Sequence, residues 1–564
     1  MNATEVLRQA HQFFQLEQFA EVEQLLLPLL GEQPENVPAL HLLGAAALAQ
    51  AHAREAALVL QRALRIEPGN AAIAYKLGRA YYEQERYQDA YALYRQLIDG
   101  GQRHAEFYVA AASALQAMPD ADGRRAQALH LIEQALQLQP QQAELWHRKT
   151  LLQEEMKQVP AALESLQRAL QLDDQRALYW LDFGLLLHKQ QRYEEALPYF
   201  DRALTLDSGA QAGADAWTSK ATSLSRLRRY EEAIECYRLA LKLNPDDVDA
   251  KVNLALSLLV LGRLQEAWPL YEWRWEGRSA DPYRHADIQP WSGASSPQGK
   301  RILLWAEQGH GDTIQFCRYA TQLAAQGAKV ILEVPPSLHA LMQSLAPEAG
   351  IEVVSNDAPP PAADFQLPLM SLPLIFDTDM ESIPSATAYL QPSRHKREQW
   401  QPAAKLPAAG AASKRRRIGL VCSGNAGNQN DARRSIALQE FAPLFDKIND
   451  ADFFLLQPDP RAADLAFLRT RTDIAWPGEQ VIDFDDSAAL IASMDLLISV
   501  DTAAAHLAGA LGIPVWILLP WAPDWRWFLG RDDSPWYPAA RLFRQTLAGE
   551  WGEVLAEVQN NLGN

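Results

Sequence analysis

Three short stretches in the second half of this 564-residue chain carry residue types suited to a phosphate-bearing ligand. The first, Gly309-His310-Gly311-Asp312, follows the apolar run at 301–306 and opens a helix. Its two glycines permit close backbone approach, and Asp312 serves either as an N-cap or as a general base. The dinucleotide fingerprint needs a third glycine where Ile314 stands, so a nicotinamide cofactor is not expected.

The second stretch, Cys422 to Asp431, is a small polar loop followed by Ala432-Arg433-Arg434-Ser435. Two arginines beside such a loop suit a diphosphate, which guanidinium binds bidentately; a surface loop with solvated arginines is the alternative. The third runs from Ser499 to Val515. Thr502, Ala503 and Ala504 are too small to shield a helix N-terminus from an anion, and Asp501 is a natural N-cap. His506 lies one turn beyond Thr502 on the same face, within reach of a ligand or simply packed. Leu507, Ala508, Ala510 and Leu511 face a core.

From about Lys300 strands alternate with helices, which sets each stretch at a strand end. Strands are expected at 301–306, 329–334, 351–354, 417–422, 453–457, 496–500 and 515–519, with one helix from the first stretch to about Ala325 and another over 502–511. This reads as two doubly wound α/β lobes, 282–400 and 414–564. They are joined by an Ala/Pro-rich linker at 401–413. Between such lobes strand C-termini and helix N-termini converge on a cleft suited to phosphates.

The first half is organised differently. Ala56, Ala90, Ala128, Ala162, Ala196, Ala233 and Ala267 recur at intervals of 34 residues, stretched twice to 38 and 37. The additions fall at 118–123 and 208–213. A 34-residue period marks stacked helical hairpins. Repeats then begin at residues 3, 37, 71, 105, 143, 177, 214 and 248. Position 8 is small (Gly44, Gly78, Ala112, Gly184, Ala221, Ala255) and position 24 bulky (Leu60, Tyr94, Phe200, Tyr237, Tyr271). Small residues at 8 and 20 let the two helices of a hairpin approach, while positions 4 and 24 fill the space between hairpins. Pro34, Pro68, Pro140 and Pro245 end their units. The first unit, with Val22 for alanine, reads as a cap. Concave-face residues such as Arg148, Lys149, Lys220 and Asn253 are candidates to touch an extended peptide. The aromatic stretch Glu266–Trp275 closes the repeats at about residue 281 and implies docking on the second half as one rigid body.

The net charge of −18 disfavours nonspecific nucleic-acid binding. Three dispersed cysteines indicate neither disulfides nor zinc, and no signal peptide or membrane span is visible, so a cytoplasmic location is expected. No DxD-like carboxylate pair stands at a suitable strand end; Asp485-Asp486 reads as the start of a helix.

The repeat half resembles the tetratricopeptide repeat in eight copies. The three stretches, in order, resemble glycosyltransferases of the heptosyltransferase-like group, which have the GT-B fold. The whole layout is similar to bacterial tetratricopeptide-repeat glycosyltransferases and to O-GlcNAc transferase. The most specific parts are Asp501 to Pro514 and Gly309 to Asp312. The resemblance implies an α-helical superhelix followed by a two-lobed α/β enzyme. The donor then sits mainly on the C-terminal lobe, with the donor diphosphate facing Thr502, Ala503, Ala504 and His506. Ser423 and Asn425 contact the donor, Gln457 lies near its base, and Arg434 counters its charge. Gly309, His310, Gly311, Gln315 and Asp501 complete the substrate-binding set, and Asp312 is the catalytic base. Gln429 stands where the group has a basic residue, so Arg433 or Arg434 supplies that charge; the 423–435 loop is shorter than in the O-GlcNAc enzymes.

The expected activity is inverting, metal-independent transfer from a nucleotide sugar, a co-substrate, to Ser or Thr of a polypeptide held by the repeats. Flagellin is the acceptor that the resemblance suggests. The alternatives are a lipid-linked or capsular glycan acceptor, and a noncatalytic repeat scaffold.

Overall fold

The computed structural model describes residues 2–119, 123–207, 209–277, 283–307, 309–346, 350–400, 415–427 and 431–563. The expected linker at 401–413, Gln308 and Gln429 lie outside them. The chain forms two compact units, Met1–Ser219 and Lys220–Asn564.

The first unit is built of helical hairpins. Seven of the eight expected repeat starts coincide with the first residue of a helix: Ala3, Val37, Ala71, Ala105, Ala143, Ala177 and, in the second unit, Val248. The helix expected to start at 214 begins four residues earlier, at Ala210. At the turn between paired helices Glu17, Ala51, Glu85, Lys157 and Gln191 adopt positive φ near 60°. The next amide then closes back five residues, as His52 N does on the Ala47 carbonyl, which ends each helix without a glycine.

Position 24 behaves differently from the expectation. A Cβ on Gly44, Gly78 or Gly184 would lie 2.5, 2.5 and 2.6 Å from Leu60, Tyr94 and Phe200 respectively. The bulky residue therefore fills the hollow left by position 8 in its own hairpin. A cavity of about 370 Å³ opens where Val109, Ala110 and Ser113 present small side chains between Tyr75, Arg79 and Arg148.

The second unit begins with the last repeats: α13 (Ala210–Arg226) ends in it, followed by α14 (Tyr230–Leu243), α15 (Val248–Val260) and α16 (Leu264–Tyr271). Two parallel sheets follow, forming two Rossmann-like lobes. The first has strand order β3-β2-β1-β4, from β1 (Arg301–Trp305), β2 (Lys329–Val334), β3 (Glu352–Ser355) and β4 (Phe365–Pro368). The second has order β10-β9-β8-β5-β6-β7, from β5 (Arg416–Val421), β6 (Ala451–Leu455), β7 (Ile474–Ala475), β8 (Leu496–Val500), β9 (Val515–Leu519) and β10 (Ala540–Arg544). Ile302 to Trp305 and Leu496 to Val500 are buried throughout, as parallel strands covered on both faces must be.

The docking expected of Glu266–Trp275 is present inside this unit. The Trp268 indole meets Trp525 edge-on at 5.7 Å and donates to the Thr378 carbonyl at 2.9 Å. Tyr271 also meets Trp525, at 6.4 Å, and Lys251 lies 3.3 Å over the Trp273 ring. Arg274 donates to both oxygens of Glu307, at 2.7 and 3.1 Å, and to Ser371 at 2.9 Å. The end of the repeats thus grips the strand end that leads into the Gly309 loop.

Candidate active site

In each sheet the strand order reverses beside the first strand, between β1 and β4 and between β5 and β8. Open α/β sheets hold ligands in the crevice outside such switch points. The Gly309–Asp312 stretch leaves β1, the Ser423 loop leaves β5, and the Asp501 turn leaves β8. Sheet topology therefore sets all three stretches at the crevice positions.

The first and third stretches meet. Helix α17 (His310–Phe316) packs on the helix Ala503–Leu511. A Cβ on Gly311 would lie 2.9 Å from the His506 ring and 3.5 Å from Ala503 Cα, so only glycine allows this approach. The second and third stretches are joined by Arg434, whose Nη1 donates to the Asp501 carbonyl at 2.9 Å. Gly424 makes room for that guanidinium; a Cβ there would lie 2.8 Å from Arg434 Nη2. Among the described residues buried Arg434 Nε has no hydrogen-bond partner, with Asp431 Oδ1 3.9 Å away.

Asp312 is neither an exposed carboxylate nor the helix N-cap. Gly309 is the cap, and Asp312, three residues on, reaches back so that Oδ2 accepts from the Gly309 amide at 3.1 Å. Its Oδ1 accepts from Arg526 Nη2 at 2.5 Å. Arg526 also donates to Asp524 at 2.8 Å, and against the cost of burial the two carboxylates hold its guanidinium firmly charged. Burial pushes the Asp312 carboxyl above the usual carboxylate range, with Asp524 adding to the rise and Arg526 opposing it.

Asp501 is likewise not the cap of its helix. Thr502 is, with an extended φ of −144°, and its carbonyl takes the Ala505 amide at 3.0 Å. The Thr502 side chain makes no capping bond and meets Ser499 Oγ at 3.2 Å, which leaves the first amides of the helix without side-chain cover. Burial and then the Asp524 carboxylate push Asp501 up to about 6. His506 is buried, stacks on Trp527 at 5.0 Å and pairs through Nδ1 with the Tyr537 hydroxyl at 2.9 Å. Burial first, then Arg526, Arg318 and Arg434, holds its imidazole well below the ordinary histidine value.

The remaining candidates are placed as follows. Gln457 is spent on the β5 loop: Oε1 accepts from the Cys422 amide at 2.6 Å, and Nε2 donates to Ser423 Oγ at 2.8 Å. Asn425 is exposed and accepts from the Gly427 amide at 2.9 Å. Exposed His310 stacks on Phe484 of the other lobe at 4.9 Å, and burial of part of its ring lowers its pKa. Gln315 is fully buried, and both polar atoms of its amide lack a partner. Asp485 and Asp486 sit in the first turn of the helix Phe484–Ala492, where Asp483 is the cap.

Three residues that the sequence did not single out organise the site. Arg526 joins the lobes through Asp312. Trp525 seats Arg526 against the repeats. Arg318, buried and without a carboxylate partner among the described residues, donates to the carbonyls of Gln315, Pro384 and Trp536 and thereby also ties the lobes. The available signal was the Asp524-Trp525-Arg526-Trp527 run, too bulky for an ordinary solvent loop.

This arrangement defines a class: tetratricopeptide repeats followed by two parallel α/β lobes with facing switch points. Residues 47–118, 151–211 and 214–247 match the tetratricopeptide repeat. The chain is also 28% identical over 330 residues to Protein FlbA of Caulobacter vibrioides, an alignment taking in 55% of this chain and 54% of that protein. It thus spans about half the length of this curated relative. Similar solved structures include the C-terminal part of a TPR repeat-containing protein from Cytophaga hutchinsonii, 14% identical with TM-score 0.39, covering 44% of this chain and 99% of that one. Another is Pseudomonas aeruginosa pilF, 20% identical with TM-score 0.33, covering 39% of this chain and 97% of that one. Among the described residues no helix is long and apolar enough to cross a membrane.

Proposed function

We propose that this protein is an inverting glycosyltransferase that moves a sugar from a nucleotide sugar to a Ser or Thr hydroxyl of a polypeptide held by its repeats. The observation that carries the reading is the packing of the Gly309–Asp312 turn on the helix after Thr502, which Arg434 links to the β5 loop through the Asp501 carbonyl, with half-buried Asp312 paired to Arg526. The donor diphosphate fits the turn at Thr502, where amide hydrogens and the helix dipole favour an anion. Arg434, whose Nη1 already reaches the Asp501 carbonyl, supplies charge to the same place.

In the reaction the acceptor hydroxyl oxygen bonds to the anomeric carbon as the bond from that carbon to the diphosphate oxygen breaks. Asp312 takes the hydroxyl proton, and the bond pair leaves on the diphosphate. A base whose pKa lies above the carboxylate norm takes that proton more readily. Arg434 and the amides after Thr502 stabilise the departing charge, a role that a divalent ion fills in other transferases. The cavity beside Tyr75 and Arg148 offers a recess for a side chain of the acceptor, and flagellin remains the acceptor that the family resemblance suggests.

The test is intact-mass analysis of flagellin and other candidate polypeptides after incubation with a panel of nucleotide sugars. A mass gain of one glycosyl unit, lost in Asp312→Ala, supports the reading. Products formed only on glycans would move the acceptor to that class. Absence of both product and nucleotide-sugar binding would leave a scaffold.

A further inference from the structure

A second group of cations lies at the far ends of β9 and β10 and shares no residue with the Asp312, Arg434 and Asp501 set. A chain of contacts assembles it. Arg228, in the turn between α13 and α14, has a left-handed φ of 62° and lays its guanidinium 4.3 Å over the Trp521 ring. The Trp521 amide donates to Gln545 Oε1 at 2.9 Å. Next to Gln545, Arg544 donates through Nε to the Arg531 carbonyl at 2.9 Å and through Nη2 to the Trp527 carbonyl at 2.6 Å. Arg531 is already paired with Asp533, at 2.6 and 2.8 Å.

Two donors in this group have no acceptor: Arg544 Nη1 and Gln545 Nε2 are both buried and unpartnered. Gln545 is 2% exposed. Among the described residues, neither Arg228 nor Arg544 is ion-paired with a carboxylate. Burial, then Arg228 and Arg531, lowers Arg544 to about 10, with exposed Asp532 the one acidic neighbour opposing the fall. A half-buried guanidinium without a counter-charge is costly, and like charges beside it add to that cost. In a chain of net charge −18 carboxylates are abundant, yet among the described residues none is hydrogen-bonded to either guanidinium.

We propose that Arg228, Arg544 and Gln545 form a second binding site, for a phosphate group. Several N–H donors from separate side chains suit a tetrahedral oxyanion with acceptors on every side. Arg228 is the movable wall, since it is held only by its stack on Trp521. Bound phosphate would tie the repeat turn to the loop that carries Trp525 and Arg526. The group comes either from free phosphate or from the terminus of a phosphorylated small molecule. The proposal is independent of glycosyl transfer.

The test is calorimetric titration of the full chain with inorganic phosphate and, separately, with a nucleoside diphosphate, at constant ionic strength. An Arg434→Gln background removes the donor-loop guanidinium. The site predicts that this background still binds inorganic phosphate, and that adding Arg228→Gln weakens binding at least tenfold. Arg544→Gln does the same; Arg228→Gln is the safer variant because the Arg228 side chain stacks on Trp521 and, among the described residues, bridges no other backbone, whereas Arg544 holds two carbonyls. Binding of the diphosphate with loss of affinity in the same variants assigns the group to a phosphorylated small molecule. Loss of phosphate binding in Arg434→Gln alone, or undiminished binding after Arg228→Gln is added, overturns the proposal.

Discussion

Arg526 and Asp312 stand 214 positions apart in sequence and share a hydrogen-bonded ion pair of 2.5 Å that joins the two lobes. The pair gives the proposed base a fixed place and a counter-charge. Arg526→Gln leaves Asp312 and Asp524 partly buried without their cation. The expected cost is about 3 kcal/mol, read as a drop in denaturant midpoint with unchanged slope. A midpoint within error of wild type would show that the pair contributes nothing.

Asp312→Asn keeps the shape of the loop while removing the proton acceptor. General-base removal typically costs about 10²–10⁴-fold, and the loss is expected in kcat with nucleotide-sugar affinity preserved. The acid limb of kcat/KM should also lie above the usual carboxylate range, in keeping with the burial of Asp312. Full activity in the variant removes Asp312 from the chemistry.

Gly311→Ala drives a methyl into the His506 ring and toward the Ala503 backbone. Helix backbone yields less than a flexible side-chain tip, so the expected loss is about 2 kcal/mol, with lower transfer activity. An unchanged melting temperature would mean that α17 and the helix Ala503–Leu511 are not held as closely as described.

Trp268→Ala removes a fully buried indole, its contact with Trp525 and its bond to Thr378. About 3–5 kcal/mol is expected, and transfer activity should fall because Trp525 seats Arg526. Retained activity at temperatures where the variant is folded would uncouple the last repeat from the site.

Asp501 titrates near 6 in the folded protein against an ordinary value of 3.8. Between those values the folded state binds more protons than the unfolded one, so stability falls as pH rises through that window. His506 acts in the opposite sense: its lowered pKa means that stability falls as pH drops below about 6.5. Asp501→Asn is therefore expected to raise the melting temperature at pH 8, on the order of 2 kcal/mol, with the gain vanishing near pH 4. A gain of the same size at both pH values contradicts the assignment.

The repeat half was legible because each hairpin solves the same packing problem, so alanine spacing fixed seven helix starts to the residue. Central strands β1, β2, β8 and β9 showed as continuous apolar runs. The strands not anticipated, β4, β7 and β10, all lie at sheet edges. One is only two residues long, and β10 begins and ends among residues that look like a surface loop. The expected helix to Ala325 divides at Cys317 into His310–Phe316 and Arg318–Ala325. Asp501 looked like a cap from its residue type, but the chain stays extended through Thr502 and the helix begins one residue later. The bulk of the Asp524–Trp527 run marks Arg526 as packed, but its partner lies in the other lobe, and neither local spacing nor residue type announces a contact of that range.

The most direct measurement is calorimetric titration of the wild-type chain with a panel of nucleotides and nucleotide sugars. At least one is expected to bind with micromolar affinity, to weaken about tenfold in Arg434→Gln, and to be lost in Thr502→Asp, which sets a negative charge at the helix N-terminus. Failure of every ligand to bind, or binding unchanged in both variants, would contradict the account.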